Sequence, residues 1–182
     1  YNTRDAMAFH QKYYNPTNAV CVLVGDITVG QARELAKIYF ERYPAGPRST
    51  EHVTAEPEQN GPRKAIRYLK GARTPLVRIG HHAARMGTTD FYALDAMTMI
   101  LSSGRSARLT QGLVNQGRAV EAWAHNPDNR YAGMVMLGGS PNEPEGLKDL
   151  SEEERRKAYM KASEALANQL IAEVEKMKTE PV

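Results

Sequence analysis

A single cysteine, Cys21, occurs in 182 residues. One thiol excludes any disulfide within the chain, and its place in the apolar run "AVCVLVG" predicts a buried sulfur rather than a reactive one. No apolar run approaches the roughly 18 residues that a bilayer-crossing helix needs, so no membrane span is expected in this segment. A dominant charge is missing too. Lysine and arginine number 24 against 21 aspartates and glutamates, a net +3 that demands neither nucleic acid nor an anionic membrane as partner. No internal repeat and no low-complexity tract is visible, which argues against a solenoid. The chain starts at Tyr1 with neither an initiator methionine nor a charged-then-apolar leader, and on that ground reads as an internal piece of something longer. What is present is 41% hydrophobic content, enough for a real core in one ordinary domain or parts of two.

The first 45 or so residues predict helix, strand, helix. "TRDAMAFHQKYY" is the first helix, closed by an Asn-Pro turn at Asn15 and Pro16. Ala19 to Val24 is expected to be a strand buried on both faces, because its apolar residues are continuous rather than alternating. A helix from about Val29 to Arg42 follows, with Leu35, Ala36, Tyr39 and Phe40 on one side. Residues 44 to 62 then gather Pro44, Gly46, Pro47, Pro57, Gly61 and Pro62, the composition of a linker.

A second unit is expected from Arg63. "RKAIRYLKGARTPLVRIGHHAA" predicts two strands joined by a turn at Gly71, with Ile66, Tyr68, Val77 and Ile79 on the buried face. "TTDFYALDAMTMILSSG" predicts a helix capped by Thr89 or Asp90, with Phe91, Leu94, Met97, Ile100 and Leu101 at helical spacing. A short helix, roughly Ser106 to Gln116, puts Leu109 and Leu113 one turn apart. "RAVEAWAHN" and "GMVMLGG" are two further strands. The last element is a helix of about 28 residues in which Ser151 and Glu154 fit a capping box and Tyr159, Leu166, Leu170, Val174 and Met177 form the apolar stripe. Hairpin-linked strands with helices segregated in sequence give an α+β fold, a sheet with helices packed on one face.

One stretch, "PRSTEH", would become the inverted zinc motif H-x-x-E-H if histidine replaced Arg48. That motif holds zinc between two imidazoles one helical turn apart while its glutamate works on a bound water. A guanidinium has no lone pair to offer a metal, and the prolines and glycines on both sides disfavour a helix. The stretch is a linker coincidence.

Other segments carry a resemblance. "FHQKYYNPTNAVCVLVGDI", followed by a helix and "YFERYPAGP", resembles the segment that closes the first domain of pitrilysin/insulinase-type zinc metallopeptidases, relatives of mitochondrial processing peptidase. "DFYALDAMTMILSSGRSARLTQGLVNQGRAVEAWA" resembles the segment that opens their second domain, and "EVEKMKTEPV" extends the similarity to the end of the chain. The resemblance implies two similar α+β domains per half-molecule, with the zinc motif early in the first. It therefore implies that residues 1–47 end a first peptidase-like domain, 48–62 link, and 63–182 form the larger part of a second, zinc-free one. It also implies that the metal ligands lie upstream, so that no metal, cofactor or catalytic residue is expected in this chain, and zinc belongs to the parent protein or its partner. Expected partners are a peptide or protein substrate and a second peptidase-like half, in the same chain, a homodimer or a heterodimer. The compartment stays open between bacterial periplasm and cytoplasm.

The remaining polar features have bland readings. His81 and His82 are adjacent on a strand and point to opposite faces, so they do not chelate one ion together. His10 and His125 lack ligands at suitable spacing. "LSSGRSARL" lacks the G-x-x-x-x-G-K-[ST] pattern of a phosphate loop and is expected to be an interhelix turn permitted by Gly104 and capped by Ser106. "SEEERRKAYMKASE" is a solvated helix face. Arg130 and Tyr131 are similar to an arginine and tyrosine with which the family's zinc-distal half holds substrate, although their spacing differs here, and they are the candidate substrate-binding residues. Family members enclose substrate in a chamber where an extended peptide adds to a sheet edge. That implies a wall role for the strands at 75–84 and 133–139, the second ending in glycines that would admit another backbone. The favoured parent is a zinc endopeptidase of which this is the inactive wall; the alternative is the noncatalytic partner subunit of one. An interaction module unrelated to proteolysis is the third reading.

Overall fold

The computed structural model describes residues 1–46, 48, 53–69, 71 and 74–180. They fall into two compact units, Tyr1–Thr54 and Ala55–Val182.

The first unit is built from helices α1, Thr3–Tyr13, and α2, Val29–Phe40, with a 3-10 turn at Pro16–Asn18. Both helices start with a capping box, Asn2 with Asp5 and Thr28 with Gln31, so each N-terminus satisfies its own free amides. Asn15 caps the 3-10 turn through its side chain, and Thr17 Oγ1 donates to Gly46 O at 2.9 Å. The expected strand at Ala19–Val24 does not form. Among the described residues of this unit there is no strand to pair with it, and Val20, Val22 and Val24 are 89%, 78% and 94% exposed. An extended apolar run becomes a strand only when a ladder partner takes up its N–H and C=O groups. For the same reason Cys21 is exposed, not buried.

The second unit contains β1, Val77–Ala83; α3, Thr89–Ser102; a π-helical turn, Thr110–Val114; β2, Ala119–His125; β3, Gly133–Pro141; and α4, Glu152–Lys176. The sheet is antiparallel in the order β1-β3-β2. This α+β arrangement agrees with the sequence. The strand expected around residues 63–69 is absent, and Ile66 and Tyr68 are exposed, whereas Val77 and Ile79 of β1 do pack on the core. Gly71 adopts φ +85°, a conformation that favours glycine at a turn.

The register decides which side chains share a face. Ile79 pairs with Leu137 and Leu137 with Ala124, while Ala122 pairs with Gly139, so these residues lie on one side. That side meets α3 and α4, and Leu101, Leu109, Leu113, Leu166 and Leu170 fill the space between with under 2% exposure. Each such leucine is stabilised by about 1.5 to 3 kcal/mol relative to leaving it in water.

Helix ends follow local chemistry. Thr88, one residue before the expected Thr89 or Asp90, caps α3, its Oγ1 accepting from Phe91 N at 3.3 Å. Ser151 and Glu154 form the expected box on α4, which runs 25 residues. The Ser151 hydroxyl and, less strongly, its backbone N–H hold the Glu154 carboxyl below the usual carboxylate range. In place of a plain helix over 106–116, the chain makes the wide π turn. Gly112 of that turn faces the mostly buried Glu173 of α4, where an added Cβ would come within 3.3 Å of Oε1. Lys176 pairs with that carboxylate at 2.7 Å.

Candidate functional site

Arg130 and Tyr131 sit at the crest of the loop 126–132 between β2 and β3. Asn126, 5% exposed, anchors the loop by donating from Nδ2 to Phe91 O at 3.3 Å. Met86 N donates to Asn129 O at 2.9 Å, and Asn129 N to Pro127 O at 2.8 Å. Gly133 gives the Asn129 side chain room, since a Cβ there would lie 3.3 Å from Asn129 Cγ. On this anchored base the Arg130 guanidinium stands 5.7 Å from the centre of the Tyr131 ring. Both side chains are exposed. A guanidinium over a phenol ring offers donors beside a flat apolar surface, suited to a peptide carbonyl or an aromatic side chain.

Beneath the crest lies a hollow of about 470 Å³ that includes Asp95, Thr98, Ser102, His125, Asn126 and Asp128 in its lining. Ser102 Oγ donates to Ala124 O at 2.8 Å, and Asn126 Oδ1 is a buried oxygen with no partner among the described residues. Arg130 and Tyr131 are not part of that lining. Nothing in the sequence marked this hollow, because its walls come from α3 and from the β2–β3 loop, which meet only in space.

The two glycines expected to admit a foreign backbone have their own neighbours. A Cβ on Gly138 would lie 2.7 Å from Trp123 Cε2, and one on Gly139 would lie 3.2 Å from Ala122 Cα. β3 is the central strand, paired on both sides, so strand addition at residues 133–139 is excluded, and among the described residues β1 and β2 are the outer strands.

His81 and His82 do separate to opposite faces, opposite Val135 and Met134 respectively. His82 Nε2 lies 3.6 Å from Glu56. His10 stacks on Tyr14 at 5.0 Å. Gly104, at φ +83°, makes the expected turn after α3, but Thr110 Oγ1 and Gln111 Nε2 close it on the carbonyls of Gly104 and Arg105, not Ser106. On the α4 charge run, Lys157 pairs with Glu153 at 2.7 Å and Arg156 with Glu152, exposed i,i+4 contacts of small energetic weight.

Among the described residues no three histidine, cysteine, aspartate or glutamate side chains are grouped to hold a metal ion. No helix among them is long and apolar enough to cross a membrane. Apart from Arg48, the near-motif at 47–52 lies outside the described residues, so its linker reading rests on the sequence.

The Peptidase M16 inactive domain matches residues 2–178, and the chain belongs to that peptidase family. Over 180 residues it is 30% identical to the zinc protease PqqE of Helicobacter pylori, covering 96% of this chain and 36% of that protein. The crystal structure of a protease from Helicobacter pylori superimposes with a TM-score of 0.67 at 24% identity, over 97% of this chain and 48% of that one, a likeness of fold. The chain thus spans between a third and a half of the length of these relatives.

Proposed function

We propose that this chain is a portion of a zinc metalloendopeptidase that lacks its zinc site, forming part of the wall of its substrate chamber and having no activity of its own. The match to an inactive domain over residues 2–178, in a chain similar to a protein named a zinc protease, is the observation that carries this reading. Zinc and the general base would then be supplied by a part of the parent protein, or a partner, that these 182 residues do not include. In this reading residues 1–47 close a first peptidase-like domain, 48–62 link, and 63–182 form most of a second, with Arg130 and Tyr131 holding substrate away from the metal.

The test reconstitutes the parent. Purified chain should leave a quenched fluorogenic peptide uncut, and adding the zinc-bearing remainder should restore hydrolysis. In the reconstituted protein, Arg130→Ala with Tyr131→Phe should raise KM severalfold while kcat holds, because contacts remote from the metal contribute mainly uniform binding. An unchanged KM would return that loop to scaffold. Limited proteolysis should cut first within 44–62, as its proline and glycine content predicts. First cleavage inside 90–101 would overturn the domain division.

A further inference from the structure

The sheet face opposite the leucine core carries a soft-ligand cluster. β3 places Met134 and Met136 on that face, two residues and about 7 Å apart along the strand. His82 is the direct cross-strand partner of Met134, and Gly80 that of Met136. Gly80 leaves an empty place on the face, and the Met134 side chain leans into it, its Sδ 3.2 Å from where a Gly80 Cβ would stand. This lean carries the sulfur toward β1 and over the row that Met136 shares with Gly80. The His82 Nε2 lies 3.6 Å from the Glu56 carboxylate, an ion-pair distance rather than a hydrogen bond. Met134 and His82 are both about half exposed, so an ion can reach them.

We propose that Met134, Met136 and His82 form a binding site for a soft monovalent metal ion, copper(I) in the cell. Thioethers are neutral and polarizable, they stay ligands at any pH, and they select copper(I) over zinc or magnesium. Two sulfurs and one imidazole satisfy an ion content with two or three ligands. Glu56, 3.6 Å from the ring, adds a negative charge beside the site that favours a bound cation. Binding moves no electron and breaks no bond. His125, across β3 from Met136 on the far strand, lies on the side away from the Met134 lean and is no ligand.

The full 182-residue chain carrying Cys21→Ser, which removes the exposed thiol as a competing ligand, is titrated anaerobically with copper(I) against the colorimetric chelator bicinchoninate. One ion per chain should be withdrawn from the chelator, with silver(I) as a redox-inert substitute and zinc without effect. Met134→Leu/Met136→Leu keeps volume and should abolish that competition, while His82→Gln and Glu56→Gln should weaken it about tenfold. His125→Gln should leave it intact. Trp123, whose ring lies over Gly138 on the same face, gives a second readout by fluorescence quenching. Equal competition by the double leucine variant, with its far-ultraviolet spectrum unchanged, would overturn the site.

Discussion

Tyr1–Thr54 and Ala55–Val182 start from similar local instructions and reach opposite degrees of burial. The first unit has two helices with complete capping boxes, yet none of its described residues is buried. Phe9, Leu23 and Tyr39 are more than half exposed there. The second unit seals five leucines almost completely. Caps and periodicity are satisfied within a few residues of sequence, so they form wherever they are written. Burial needs apolar surface brought from elsewhere, and among the described residues only the second unit has a sheet to supply it.

The largest test of this contrast is excision. Residues 55–182 expressed alone should melt in a single cooperative transition, and residues 1–54 alone should show none by circular dichroism. A sharp melt from 1–54 would break the comparison. Next in size is a matched pair of truncations within the whole chain. Leu170→Ala should cost about 3 kcal/mol in urea denaturation, since it opens a cavity in a sealed core. Leu35→Ala, at a position 43% exposed, should stay within about 0.5 kcal/mol.

Glycines sharpen the contrast at a smaller scale. Gly138→Ala should cost about 2 kcal/mol by forcing the Trp123 ring off the strand. Gly30→Ala in α2 meets nothing nearer than 3.9 Å and should stabilise that helix by about 0.5 kcal/mol, read as helicity in the isolated unit. The smallest effect concerns acid. Glu154 is held below the usual carboxylate range by Ser151, so its contribution to the start of α4 is complete above that range and is lost as pH falls through the lowered value. Ser151→Ala should remove this acid-dependent fraying from amide exchange at the first turn while leaving the α4 core untouched.

Sequence patterns read well wherever a signal and its consequence lie close together. The α4 box and stripe, the β2 and β3 strands, and the buried Leu109 and Leu113 are all found where the spacing puts them. The apolar run at 19–24 failed as a strand because pairing is a property of two segments, and only one was being read; residues 63–69 were read with a partner, but that partner, β1, pairs with β3 instead. The cap of α3 slipped by one residue because Thr88, Thr89 and Asp90 are all competent, and the hydrogen bond to Phe91 selects among them. The hollow under the Arg130 loop was invisible because α3 and the β2–β3 loop meet only in space.

The order β1-β3-β2 also governs how the chain can fold during synthesis. The central strand is the last of the three to be made, so β1, ending at Ala83, has no neighbour to join until Gly133–Pro141 has emerged. At roughly 5 to 20 residues per second, that gap of about 50 residues leaves the nascent strand waiting for several seconds. The hairpin of β2 and β3 can zip within microseconds of emerging, and it then serves as the template on which β1 docks. A chaperone acting on this protein would have most to do in that interval, with Val77 and Ile79 as the surface it must shield.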